Sequence, residues 1–344
     1  MYYIELISIF LTSMIGIYLS LKFADKLGFV DIPNKRSMHT VIIPRGAGIP
    51  FVLSVFLVLF LLDLDYLKTY YYVYVAIAIV FIAGVWDDHE NISPKIKFSF
   101  IFFASLLLYV NDMAIYSIGT YFGYEIILPS WFVFPFTFFA IAGYTNALNL
   151  MDGLDGLAAS VSLVIFLAFF AIGIEHKDEL LITLSSFFAV SLLAFLLFNW
   201  NPAKIFMGDS GSLALGMVIV ILSIHSFQYV TPASILFIAA LPLLDTFIVV
   251  TRRIQRSKSP FKADKNHMHH FLFNVKGDIR YTVIMLTMMQ MIFSIIGYQI
   301  GQANNFLSLV LFLLLFYIYL NLFDQRLKRR HSYDTFKTDI KKET

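Results

Sequence analysis

Eleven apolar stretches, each close to the roughly 20 residues needed to cross about 30 Å of hydrocarbon, leave this 344-residue chain few folds to choose from. They fall near 3–21, 47–62, 70–86, 96–111, 129–147, 157–174, 179–198, 211–227, 232–251, 283–301 and 305–323. In lipid a backbone must satisfy its own polar groups, so single spans of this length are helical. The expected fold is an all-α polytopic integral membrane protein of about 10–11 transmembrane helices. Composition agrees, with 59% hydrophobic and 14% charged residues, outside the range of a soluble domain. The first run is followed by Lys22 and Lys26 and lacks a basic leader or small-residue cleavage pattern. It reads as a retained span and not as a signal peptide.

Charge placement orients the bundle. Of the 25 Lys and Arg, all but Lys68 and Lys177 fall on the odd-numbered connections or on the C-terminal tail. By the positive-inside rule the N-terminus is outside and the C-terminus cytoplasmic. Residues 1–323 are then one transmembrane domain, with cytoplasmic loops at 24–46, 87–95, 148–156, 199–210 and 252–282, and 324–344 a basic cytoplasmic tail. The outer connections are short except 112–128, where Tyr, Ile and Gly suit a small hairpin. A net charge of +2 gives no ground for a nucleic-acid partner, and the absence of cysteine excludes disulfides, thiolate metal sites and a cysteine nucleophile.

The motif-like polar residues all lie on the cytoplasmic side. In Asn149-Leu-Met-Asp152-Gly-Leu-Asp155-Gly156, a helix starting at Asp152 would set both carboxylates on one face, beside glycines that leave the backbone open to a phosphate ester. Asp87 and Asp88 would diverge by about 100° on a continuous helix. To meet at one site they need a helix end, which Ser93-Pro94, read as N-cap and N1 of the next span, supplies. Asp209, between Gly208 and Gly211, opens an apolar run where backbone amides can meet phosphate and the carboxylate can carry Mg²⁺, with Asn149 suited as a neutral oxygen ligand.

Each residue also has a plainer reading. Asp152, Asp155 and Asp209 are of the type that caps helices. Lys97 satisfies the charge bias as well as it would hold a phosphate, and Phe206 suits core or lipid as well as stacking on a base. The loop to His267, His269 and His270 combines cations with imidazoles. Contacts to a diphosphate fit it better than zinc or anionic lipid does. Asp245, about two turns before Arg252, either faces the site or pairs internally.

Taken in order, Asp87-Asp88, Asn149 to Asp155, Phe206-Met-Gly-Asp209-Ser-Gly and His267-Met-His269-His270 resemble the polyprenyl-phosphate N-acetylhexosamine-1-phosphate transferases. The His-X-His-His spacing matches the WecA and TagO branch, related to MraY. The resemblance runs from about Asp31 to His270, and Ala47 stands where many relatives have a second glycine. It implies transfer of a sugar 1-phosphate from a UDP-N-acetylhexosamine, by default UDP-GlcNAc, to undecaprenyl phosphate with release of UMP and a requirement for Mg²⁺ or Mn²⁺. This would be the first membrane step of a cell-envelope polysaccharide, at the plasma membrane. The same match implies Asp209, Asn149 and Asp88 for the metal, and Asp87, Asp88, Asp152 and Asp155 for catalysis. It implies Lys97, Asn149, Phe206, His267, His269 and His270 for substrate. A lipid-facing homodimer is compatible with the sequence.

Two other functions fit an acidic membrane protein. A transporter or flippase would spread polar groups through the bundle and break helices at mid-membrane. A CDP-alcohol phosphotransferase would gather its aspartates on two helices. Neither matches carboxylates crowded on one face and spread over separate loops.

Overall fold

The computed structural model describes residues 2–31, 33, 41–255, 257, 267–300 and 305–322. The rest of the 24–46 and 252–282 loops, and the tail 324–344, lie outside the described residues. The elements are α1 (Tyr2–Leu27), β1 (Val30–Asp31), β2 (Ile43–Pro44), α2 (Gly48–Leu62), α3 (Leu64–Thr69), α4 (Tyr71–Glu90), α5 (Pro94–Val110), β3 (Ser117–Tyr121) and β4 (Tyr124–Ile127). They continue with α6 (Ser130–Met151), α7 (Leu157–His176), α8 (Glu179–Asn199), α9 (Gly208–Ser226), α10 (Pro232–Ile238), α11 (Ala240–Gln255), α12 (Met268–Lys276) and α13 (Ile279–Gln299). A last helix, α14, spans Asn305–Leu322.

All eleven apolar stretches are helical. Helices α1, α4, α6, α7, α8, α9, α13 and α14 are long and apolar enough to cross a membrane, while α2 has 15 residues and α5 has 17. The core centres on α9, whose neighbours include α2, α4, α6, α7 and α8. Apolar side chains gain little by leaving lipid for one another, so close packing has to hold such a bundle. The start of α9 is correspondingly small: Gly211, Ser212, Ala214 and Gly216 are all buried, and Gly216 runs against the Thr145 backbone of α6.

The stretch expected as one straight span over 232–251 is instead broken, α10 and α11 meeting at 89°. Pro242 is the reason: it has no N–H to give to the Ile238 carbonyl one turn back, and its ring crowds that carbonyl. The freed groups are taken up by α13. Gln290 donates through Nε2 to the Ile238 carbonyl at 2.7 Å and accepts through Oε1 from the Leu241 amide at 2.9 Å, while the Ser294 hydroxyl donates to the same carbonyl at 3.1 Å. A broken helix persists in hydrocarbon only where such partners exist.

The hairpin expected within 112–128 is present as antiparallel β3 and β4. Its two-residue turn, Phe122-Gly123, takes positive φ at both positions (51° and 85°), as the twist of a tight hairpin demands. At that end of the bundle Asp178 caps α8 by accepting from the Leu181 amide at 2.8 Å, and it also bonds the His225 ring at 2.9 Å and the Tyr229 hydroxyl at 2.8 Å. Asp209 lies in the first turn of α9 and His225 in its last. The rise of the helix separates them by about 24 Å.

Candidate active site

The site is built on the N-terminus of α9. Helix α4 approaches it closely at Gly84, where a Cβ would lie 2.5 Å from the Asp209 carbonyl. One turn later the same helix delivers Asp87 and Asp88. The expectation that α4 ends at the acidic pair is corrected: it runs on to Glu90 and stops at Asn91, in the left-handed conformation. Ser93 and Pro94 do begin α5 as expected. The two carboxylates therefore diverge, and both still reach α9 because its first turn lies between their directions.

Asp88, 2% exposed, accepts from the Asp209 amide at 2.8 Å and the Ser210 amide at 3.0 Å, one bond to each oxygen. It closes orphan donors at the positive end of the helix dipole, as an N-cap side chain would, from another helix. Gly208 makes room for it, with φ of 76° and Asp88 Oδ2 only 2.4 Å from where a Cβ would stand. Arg45 donates to the Asp88 carbonyl. Both Asp88 oxygens being so engaged, Asp87 and not Asp88 shares the open side with Asp209.

That open side holds a cation. Lys97 Nζ lies 2.5 Å from Asp209 Oδ2 and 2.8 Å from Asp87 Oδ2. Asn149 stands within hydrogen-bonding reach of the Asp209 carboxylate and donates to the Ser212 hydroxyl at 2.8 Å. Two carboxylates around one positive charge, with the Asn149 amide beside Asp209, form a hard-oxygen setting suited to Mg²⁺, which commonly takes one or two carboxylates and fills its shell with substrate phosphates. Among the described residues no three His, Asp or Glu side chains group closely enough to hold an ion alone.

The Asp152–Gly156 segment opens no shared helical face. Helix α6 ends at Met151 and α7 begins at Leu157, so the two aspartates sit on a turn and part ways. Asp155 accepts from the Asn201 side chain at 2.8 Å and the Ala203 amide at 3.0 Å, tying this turn to the 199–207 segment. Asn199, which the motifs did not single out, closes the same joint: its Oδ1 accepts from the Gly156 amide and its Nδ2 donates to the Ile205 carbonyl, each at 2.8 Å. Asp152 has no side-chain hydrogen bond or ion pair among the described residues. Burial first, and then the carboxylates of Asp209, Asp88 and Asp155, push it up to about 7.

The remaining motif residues border these turns. The Phe206 amide donates to the Pro44 carbonyl at 2.8 Å and its carbonyl accepts from the Ala47 amide at 3.0 Å, joining the Pro44–Gly48 segment to the approach to Asp209. His269 is 2% exposed and packs on the Asp152 turn: a Cβ on Gly153 would lie 2.7 Å from its Nε2. Burial, only partly opposed by Asp245 and reinforced by His270 and His267, brings His269 down to about 3, so the ring is neutral at physiological pH. Its centroid is 5.6 Å from His267 and 4.3 Å from His270. The four motifs thus converge at one end of the bundle.

The sequence profile of glycosyl transferase family 4 matches residues 70–227. The chain is 33% identical over 303 residues to a probable undecaprenyl-phosphate N-acetylglucosaminyl 1-phosphate transferase of Bacillus subtilis (strain 168), covering 86% of this chain and 84% of that one. It is 30% identical over 330 residues to the undecaprenyl-phosphate alpha-N-acetylglucosaminyl 1-phosphate transferase of Escherichia coli (strain K12), covering 92% and 89%. The corresponding protein of Yersinia pestis is 31% identical over the same shares.

Proposed function

Since this chain belongs to glycosyl transferase family 4, together with the undecaprenyl-phosphate N-acetylglucosaminyl 1-phosphate transferases, we propose that it transfers N-acetylhexosamine 1-phosphate, GlcNAc by default, from a UDP-sugar to undecaprenyl phosphate and releases UMP. The observation that carries this reading is the Lys97 ammonium between Asp87 and Asp209 at the start of α9, with Asp152, unpaired among the described residues, nearby. Such a site suits two anionic reactants. The distribution of Lys and Arg supports a cytoplasmic site in the plasma membrane, fed by a soluble nucleotide sugar and a lipid in the same leaflet.

In the reaction an oxygen of the lipid phosphate attacks the β-phosphorus of the UDP-sugar. A new P–O bond forms as the bond to the bridging oxygen breaks, and that oxygen leaves on UMP. Lys97 offsets phosphate charge as the reactants are brought in line. Asp152, raised by burial and by the neighbouring carboxylates, is suited to take the proton that a phosphate monoester of pKa about 6 still carries in part. Asp88 and Asp155 are engaged with backbone amides, which favours roles in holding the site and a direct displacement over a covalent aspartyl intermediate. Asp209, Asp87 and Asn149 would hold Mg²⁺ or Mn²⁺, which when bound neutralises phosphate oxygens as a Lewis acid.

The break between α10 and α11 is a feature that a transporter would share. Its backbone groups are closed by Gln290, which is fully buried, and by Ser294.

The test offers purified protein a panel of UDP-N-acetylhexosamines with undecaprenyl phosphate and Mg²⁺ in detergent, and identifies lipid product and UMP by mass. The expected result is a diphospho-lipid sugar, abolished by Asp209→Asn in a protein that still folds. No product from any donor, or normal turnover by that variant, would overturn the reading.

A further inference from the structure

We propose that Asp245 is a positioning residue for the sugar-nucleotide side of the site, acting through His267; the inference rests on the transferase reading above. Asp245 lies on α11 just past the break and is 3% exposed. A carboxylate so buried is costly unless it is hydrogen-bonded and paired. Here both oxygens are spent on one short stretch of chain: Oδ2 is 2.8 Å from His267 Nδ1, and Oδ1 accepts from the Met268 amide at 2.7 Å.

Those two bonds do different work. The bond to Met268 satisfies a donor in the first turn of α12 and fixes where the helix begins. The bond to His267 fixes the imidazole. An ionised carboxylate can only accept, so Nδ1 carries the hydrogen, and both the rotation of the ring and its tautomer are set. Nε2 is thereby directed to the edge away from α11. The His267 ring lies within 9° of parallel to that of His269, which rests on Gly153, next to Asp152. A contiguous path runs from Asp245 through the histidine row to the catalytic turn. The ligand is the nucleotide sugar: with Nδ1–H given to Asp245, Nε2 of the neutral ring can accept from a sugar hydroxyl, and in the protonated ring Nε2–H can donate to a diphosphate oxygen.

If Asp245 were only a helix cap, asparagine would replace it. The Asn Oδ1 still accepts from the Met268 amide, but its Nδ2 cannot accept from Nδ1–H, so the ring must change tautomer or turn. Asp245→Asn is expected to lower kcat/KM for the UDP-sugar by about 10- to 100-fold, by analogy with the loss of a carboxylate behind a metal-ligating histidine. The loss should lie in KM for the UDP-sugar, with KM for undecaprenyl phosphate unchanged, and calorimetric affinity for UMP alone should not improve. In a His267→Ala background the same change should cost nothing more, because one residue acts through the other. In ¹⁵N-histidine-labelled wild-type protein His267 should carry its hydrogen on Nδ1, a readout that does not depend on any variant folding.

Losses that add in the double variant, equal rises in both KM values, or an Nε2–H tautomer for His267 would overturn the inference and leave the transferase reading standing. Absence of turnover by the wild-type protein with every donor would overturn both.

Discussion

Lys97 on α5 and Asp209 on α9, 112 residues apart in sequence, meet at 2.5 Å, and the same ammonium reaches Asp87 on α4 at 2.8 Å. Three helices are thus pinned by one charge at the point where two anionic substrates would meet. Exposure of the Lys97 side chain is only 23%, so the interaction is less screened than at an open surface. Lys97→Met leaves Asp87 and Asp209 facing each other without a counter-charge. Its kcat/KM is expected to fall by about 10²- to 10³-fold, the range for removing one preorganised charge-stabilising group, measured by UMP release in detergent. Activity within a few-fold of wild type would return Lys97 to the surface charge bias.

The neighbouring aspartates should separate by assay. Asp88→Ala removes the acceptor of two α9 amides and should lower stability by about 1–2 kcal/mol, the cost of losing a cap, seen as an earlier unfolding midpoint. Asp87→Asn removes a partner of Lys97 and, among the described residues, no side-chain bond to backbone, so the midpoint should fall less than for Asp88→Ala while turnover drops. Equal loss of stability in both would contradict the division of labour between them.

Asp178 supplies a pH dependence remote from the site. Burial alone would raise its carboxyl; the His225 ring, the Leu181 amide and the Tyr229 hydroxyl outweigh that and bring it down to about 2. A folded-state value below the unfolded one means that the contribution is fully present above about pH 4 and is lost as pH falls towards 2. At neutral pH it corresponds to about 2 kcal/mol. Asp178→Asn should lower the unfolding midpoint at pH 7 with KM for both substrates unchanged, and the difference from wild type should shrink on acidification through that window. A difference that persists at pH 2 would show that packing, not charge, holds the α7–α8 turn to the end of α9.

Much of this was legible in the residues. That the eleven apolar stretches are helical follows from run length, and the grouping of the motifs follows from Lys and Arg placement, because both are read one segment at a time. Pairings between segments were not. The resemblance implies Asp88 for the metal; that its oxygens accept from the Asp209 and Ser210 amides becomes visible only once the α9 start is seen to lie against Gly84. The shared face expected for Asp152 and Asp155 fails because α6 stops at Met151 and the turn sends Asp155 to Ala203. Asn199 was passed over since its work is at Gly156 and Ile205, on either side of it in the chain. The break at Pro242 was not read, because a break inside an apolar run is tolerable only with a partner, and that partner is 49 residues away.

Gln290 is that partner, and the break depends on it. Its amide is the only side-chain group that reaches both sides of the break among the described residues, donating to Ile238 and accepting from Leu241. Ser294 can share the carbonyl but has nothing to offer the Leu241 amide. Gln290→Leu keeps the volume and removes both bonds, leaving a buried N–H without an acceptor at a cost of about 1–3 kcal/mol, while Ser294→Ala should cost less because Gln290 still holds Ile238. Activity adds a second readout. Helix α11 carries Asp245, which fixes the start of α12, so a loosened break should weaken UMP affinity more than affinity for the lipid acceptor. Both can be followed on the same preparations by thermal unfolding in detergent and by calorimetric titration. Gln290→Leu matching wild type in both would mean that Pro242 alone maintains the 89° turn.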